Sequence, residues 1–331
     1  MKAKRAVALL LGMILLIGLV GCSAAPASTN DMPADSAGQQ HYTVGVCQLI
    51  QHEALDAATQ GFIDALTEKL GKENVTFDVQ NAQGDSVTCG TIVNGFVSNE
   101  VDLILANGTA ALQAAAAGTA TIPILGTSIT DYATALDISD WTGTVGGNIS
   151  GTSDLAPLAD QAAMIQELFP EAKTVGLLSC SAEPNSMYQV GVVKAELEQR
   201  GYACQEFSFS DSNDVASVAQ SACDAVDVIY IPTDNTAASN TELIANVVLP
   251  AGTPVVTGEA GICRGCGVAT LSISYYDLGL ATGEMAAEIL TGQADISTTP
   301  VRFASNFTKA YNAANCETLG ISIPEGYEPL N

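Results

Sequence analysis

Positive charge is nearly missing from this chain. Its 331 residues carry 11 Lys and Arg against 36 Asp and Glu, a formal net charge of −25. A nucleic-acid partner needs a basic face to replace its counterions, so that class is excluded. Histidine is almost as scarce, with only His41 and His52, and Trp141 is the single tryptophan. With so few soft ligands, the pair Cys263-Arg264-Gly265-Cys266 has no second pair to complete a zinc ribbon, and no metal is expected. The glycines from Gly143 to Gly151 match neither the P-loop nor the dinucleotide fingerprint, and no strand, turn and helix frame them. No cofactor is expected. Charge is sparse overall, but the hydrophobic fraction is 47%, enough for core-forming globular domains rather than an acidic disordered chain.

What is present begins with an address. Lys2, Lys4 and Arg5 precede an apolar segment from Ala6 to Val20 that is too short and too one-sided in charge for a spanning helix. It reads as an export signal, residues 1–21. Leu19-Val20-Gly21-Cys22 resembles the lipobox of bacterial lipoproteins, which implies cleavage before Cys22, lipidation of its thiol and attachment to the outer face of a bacterial cell membrane. Residues 22–41, rich in Ala, Ser, Pro, Asp and Gln, read as a flexible tether. Loss of the signal removes three cations and leaves 8 against 36, or −28. Besides Cys22 there are eight cysteines, an even number that permits disulfides without specifying one. Cys263 and Cys266 read as a local disulfide or two free thiols.

The folded part is written twice. Val101-Asp-Leu-Ile-Leu-Ala-Asn-Gly-Thr-Ala-Ala111 shares its frame with Val226-Asp-Val-Ile-Tyr-Ile-Pro-Thr-Asp-Asn-Thr-Ala-Ala238. Thr43-Val-Gly-Val pairs with Thr174-Val-Gly-Leu upstream, and Ile122-Pro-Ile-Leu with Thr253-Pro-Val-Val downstream. A duplication on this scale predicts two copies of one domain. Each copy alternates apolar β-branched runs with amphipathic segments, which predicts an α/β fold of two similar doubly wound parallel-sheet lobes. The second half also predicts helices over 155–169, 237–248 and 277–290, and the glycine-rich stretch Trp141 to Ser153 reads as a crossing between lobes.

In such sheets ligands bind at the carboxyl ends of strands. The polar clusters there contain Gln48, His52, Asn107, Thr109, Thr127, Thr130 and Asp131 in the first copy. The second copy supplies Ser181, Glu183, Asn185, Ser186, Thr233, Asp234, Asn235 and Glu259, with Tyr275 beyond them. Apart from Arg264, no cation lies among them, so a phosphate or polycarboxylate would lack a countercharge. Hydroxyls and helix N-termini suit a single carboxylate, while Asp131, Glu183, Asp234 and Glu259 are the expected receivers of an ammonium. Leu49, Ile50, Tyr188 and Tyr275 are the expected apolar walls. A free amino acid with an aromatic side chain fits that set. A nucleoside, sugar or other small polar solute is the alternative, and a cysteine enzyme using Cys180 or Cys47 with His52 as base a remote one.

Several stretches resemble the solute-binding lipoproteins of ABC transporters with the type I periplasmic-binding fold, in the branch related to tryptophan- and tyrosine-binding proteins. They are Gln48 with His52-Glu53-Ala54-Leu55-Asp56, Gln80-Asn81-Ala82-Gln83-Gly84-Asp85, Thr130-Asp131, Gly146-Gly147-Asn148-Ile149-Ser150-Gly151, Pro232-Thr233-Asp234-Asn235-Thr236, Gly258-Glu259 and Tyr275-Tyr276-Asp277-Leu278-Gly279. The pattern departs at Ala260 to Gly267 and at Asn107-Gly108-Thr109. The resemblance implies three chain crossings at a hinge, with residues 42–153 and 275–298 in one lobe and 154–274 and 299–331 in the other. It also implies a cleft that closes on one solute, a permease and its ATPase as partners, and no catalysis.

Overall fold

The structure, a computed structural model, describes residues 40–330; the signal, Cys22 and nearly all of the tether lie outside them. The first lobe runs β1 (Tyr42–Gln48), α1 (Glu53–Leu70), β2 (Val75–Asn81), α2 (Ser86–Ser98), β3 (Leu103–Asn107), α3 (Thr109–Gly118), β4 (Ile124–Ile129), α4 (Tyr132–Ala135) and β5 (Ile149–Ser153). The second runs α5 (Leu158–Leu168), β6 (Thr174–Cys180), α6 (Pro184–Gln199), β7 (Ala203–Phe209), α7 (Val215–Cys223), β8 (Val228–Ile231), α8 (Asn235–Ala238), α9 (Thr241–Ala251), β9 (Val255–Thr257), α10 (Ala260–Cys266) and β10 (Ala269–Ser272). After them come α11 (Tyr275–Leu290), β11 (Arg302–Phe303), β12 (Thr308–Tyr311), α12 (Ala313–Leu319) and β13 (Glu328–Pro329).

The two sheets order their strands alike, β5-β4-β3-β1-β2 and β10-β9-β8-β6-β7, all parallel. The duplicated frames therefore occupy equivalent places, β3 and β8, as central strands buried on both faces. Their shared aspartates do the same work. Asp102 Oδ2 accepts from Thr43 N at 2.7 Å, and Asp227 Oδ2 from Thr174 N at 2.9 Å, each stitching the start of one strand to its neighbour.

The chain crosses between lobes after β5, between β10 and α11, and between β11 and β12. α11 lies against α1 at backbone contact. A Cβ built on Gly279 would sit 2.1 Å from Ala58 O, and one on Gly61 2.1 Å from Tyr276 O. Only glycine permits that approach.

Several boundaries differ from the sequence reading. The expected crossing from Trp141 to Ser153 contains β5, an inner strand of the first sheet. One of its glycines, Gly151 at φ +146, is demanded by the sheet, since a Cβ there would fall 2.1 Å from Gly126 O. β4 runs on through Thr127 and Ser128, with a register shift, where a loop is expected. The expected helix 237–248 is two, α8 and α9. Asn240 Nδ2 donates to Thr236 O at 2.8 Å and takes a carbonyl that a continuous helix would use. α5 starts at Leu158 because Pro157 stands before it. The first lobe reaches Phe303 rather than 298, because β11 adds to the edge of β5.

Candidate functional site

Where the lobes meet lies a small, partly enclosed pocket with room for about one water-sized group. His52 and Leu55 of α1, with Ser128 and Thr130 at the end of β4, form one wall. Asn185, Thr233 and Asn235 form the other, and Asp154 and Tyr275 from the first two crossings form the floor. The cleft is shut. His52 Nε2 is 3.2 Å from Asn235 Oδ1, and the Arg264 guanidinium donates to Glu53, so α1 is tied to α8 and α10. A wider chamber adjoins at Asn235, with Leu49, Ile50, Ala110 and Ala182 among its lining residues. No Lys or Arg lines either space.

Six of the expected residues, His52, Thr130, Asn185, Thr233, Asn235 and Tyr275, line the inner cavity, and Glu183 with Asn235 lines the outer chamber. The others are engaged elsewhere. Gln48 Nε2 donates to Asp56 and Ile50 O, its Oε1 accepts from Thr59, and Asn107 Nδ2 donates to Thr59 and Leu55 O, which pins β1 and β3 to α1. Thr127 bonds Thr152 and Thr282 behind the hinge. Thr109 is buried in the first turn of α3. Ser181 donates to Phe209 O, and Ser186 is buried beside Asp234. Tyr188 packs at the edge of the second lobe's core rather than forming a cleft wall.

The four acids expected to receive an ammonium are all helix caps. Asp131 accepts from Thr134 N at 2.7 Å. Asp234 accepts from Cys180 N at 2.6 Å and Ala237 N at 2.8 Å. Glu259 accepts from Gly261 N at 2.7 Å and from Ile262 N. Glu183 accepts from both backbone and side chain of Asn235 and of Thr236. Asp131, Asp234 and Glu259 each cap the helix they precede, whereas Glu183, at the start of α6, caps α8 instead.

The acid that faces the cavity is Asp154, outside the expected set. It is 4% exposed; Oδ2 accepts from the Tyr275 hydroxyl at 2.8 Å, and Oδ1 has no hydrogen-bond partner. Burial pushes its carboxyl above the usual range, opposed by the Tyr275 hydroxyl; the nearby Thr130 hydroxyl leans the same way without closing a bond on Oδ1. Ser128 Oγ, also buried in this wall, is likewise unpartnered, on a residue at φ +56. Burial lowers the His52 imidazole, offset in part by its bond to Asn235, so the ring faces the cavity neutral. Two buried acceptors without partners, beside a neutral ring and two amides, suit a polar guest bearing donors. Sequence carried no signal for Asp154, because the expected helix 155–169 begins directly after it, whereas α5 starts only at Leu158.

Burial lifts Asp234 and Glu259 to about 7 each, against the two amides that each accepts from. Unfolded, such groups titrate near 4. Between those values the native state holds protons that the unfolded chain releases, so their stabilising effect is fully present below pH ~4 and is lost as pH rises through about 7. Unfolding at pH 6 should therefore release protons. His52, lowered by burial, opposes with less than one. Calorimetric unfolding in two buffers of different ionisation enthalpy measures the balance, and net uptake would contradict it.

The thiols are poorly placed for catalysis. Cys180 lies at the outer chamber, where burial raises it, and Cys47 is fully buried and raised as well. An activated nucleophile needs the opposite shift. Cys263 and Cys266 are free thiols buried on one turn of α10.

A family model described as ABC transporter substrate binding protein matches residues 43–327. The chain belongs to that family. This substrate-binding protein is 34% identical over 298 residues to a tyrosine-binding protein of Clostridioides difficile, covering 88% of this chain and 86% of the relative. A Streptococcus pneumonia ABC domain solved in complex with L-Trp is 32% identical and superposes with a TM-score of 0.83, over 88% of this chain and all of that one. A ligand-free, open substrate-binding protein with adhesive properties from Clostridium difficile is 34% identical, with 88% and 99% of the two chains covered, yet its TM-score is 0.67. At nearly equal identity this substrate-binding protein superposes better on the L-Trp complex than on the ligand-free, open form.

Proposed function

We propose that this protein captures an aromatic amino acid, tyrosine, tryptophan or phenylalanine, between its lobes and delivers it to an ABC importer. The observation that carries the reading is the small polar pocket joined at Asn235 to a larger, mostly polar chamber with Leu49 and Ile50 in its lining, with no cation lining either. A zwitterion whose apolar side chain meets Leu49 and Ile50 is compatible with that lining, and a phosphorylated or polyanionic solute would find no countercharge. The relatives named for tyrosine and crystallised with L-Trp favour the same class. In this reading the protein works at the outer face of the cell membrane, held by lipid on Cys22, docks on a permease whose ATPase supplies the energy, and catalyses nothing itself.

Titration calorimetry with the twenty amino acids and a panel of nucleosides and sugars tests it. Binding of at least one aromatic amino acid with micromolar or tighter affinity, about −8 kcal/mol or better, is the expected result. Heat only from nucleosides or sugars would replace this ligand class with the polar alternative.

A further inference from the structure

We propose that Asp154 is the receiver of the ligand's ammonium group, and that Tyr275 positions it. This rests on the amino-acid reading above but assigns the charge-reading group to the hinge rather than to either lobe. Asp154 follows β5 directly in the first crossing, and Tyr275 opens α11 at the end of the second. Their 2.8 Å bond ties two crossings together and leaves Oδ1 facing the cavity with no donor.

A carboxylate this deeply buried costs free energy unless it is paired. Within the cavity lining no side chain supplies a positive charge. Arg264, near the cleft, donates to Glu53 on α1, and Arg302 lies on β11 and pairs with Glu288 on α11. A primary ammonium entering the cavity supplies both the charge and the missing donor. Glu183, Asp234 and Glu259 already accept backbone N–H groups on both oxygens, and Asp131, which uses only Oδ1 for Thr134 N, does not line the cavity. The position also couples binding to closure. A guest held on the hinge floor touches both walls only when the lobes are together, so its contacts with Asn185 and Asn235 are made in the closed form.

The test compares Asp154→Asn with the unaltered protein, using L-tryptophan and L-tyrosine and their deaminated analogues, 3-(indol-3-yl)propanoate and 3-(4-hydroxyphenyl)propanoate. The substituted amide is isosteric with the carboxylate and keeps an acceptor for Tyr275, so the hinge bond survives and only the charge is lost. Binding of the amino acids should weaken ~30-fold or more, while the weak binding of the deaminated acids changes less than threefold and the thermal midpoint of the free protein does not fall. Amino-acid affinity within threefold of the unaltered protein would overturn the assignment, as would equal loss for both ligand sets, which marks a structural role. If the unaltered protein binds no aromatic amino acid, the function proposed above fails by itself. The variant is then tested with whichever other amino acid or primary amine binds, and binding of ammonium-free solutes alone would overturn the inference too.

Discussion

Gly279→Val leaves the protein largely unfolded in mild denaturant, with at least about 3 kcal/mol of stability lost, and Gly279→Ala loses less but in the same direction. A Cβ at this position lies 2.1 Å from Ala58 O and 2.9 Å from Ala58 C, so the obstacle is the backbone of α1 and no rotamer relieves it. Overpacking that side chains can absorb costs about 1–3 kcal/mol, and here two helices must separate. The same packing holds Phe62 and Leu66 of α1 in the first lobe's core with Met285 and Ala286 of α11. Because α11 begins with Tyr275, separation also shifts the cavity floor. Urea unfolding of the two variants measures the loss, and an alanine variant within about 0.5 kcal/mol of the original would show that the helices have room.

Glu183→Gln should cost about 2–4 kcal/mol and disorganise one wall of the cleft. The carboxylate collects donors from Asn235 N at 3.0 Å, Asn235 Nδ2 at 2.7 Å, Thr236 N at 2.8 Å, Thr236 Oγ1 at 2.8 Å and Asn185 Nδ2 at 3.1 Å. Glutamine has one acceptor oxygen and points an amide N–H₂ at the remaining donors, so buried groups lose partners at about 1–3 kcal/mol each. Asn235 is the residue that meets His52 across the cleft, so loss of its anchor weakens closure as well as folding. Affinity should fall for amino acids and for their deaminated analogues alike, which separates this wall from Asp154, where charge alone is removed. Denaturant unfolding and calorimetry together test it; unchanged stability would mean that the five donors find other acceptors without loss.

The duplication was legible because it is written in local patterns. Val-Asp followed by apolar β-branched residues makes a buried strand in both halves, and Asp102 and Asp227 anchor neighbouring strands in the same way. The break between α8 and α9 was not legible. A continuous helical period runs through Ser239 and Asn240, and only the Asn240 side chain returning to Thr236 O stops it. The glycines around Gly151 were read as a crossing because sequence does not distinguish a mobile glycine from one crowded against a neighbouring strand.

Among the candidate residues, composition narrowed the kind of solute to expect: few cations, many hydroxyls and acids at strand ends, and a pattern shared with a family of transporter subunits. Tertiary structure decided which acid faces the inner pocket. Asp234, Glu259 and Asp131 each cap the helix that begins beside them, and Glu183 caps α8 from the start of α6, so helix N–H groups hold all four. Asp154 has no helix start beside it, so one of its oxygens stays uncommitted until the Tyr275 hydroxyl, 121 residues away, fixes the other and aims the carboxyl into the gap between the lobes.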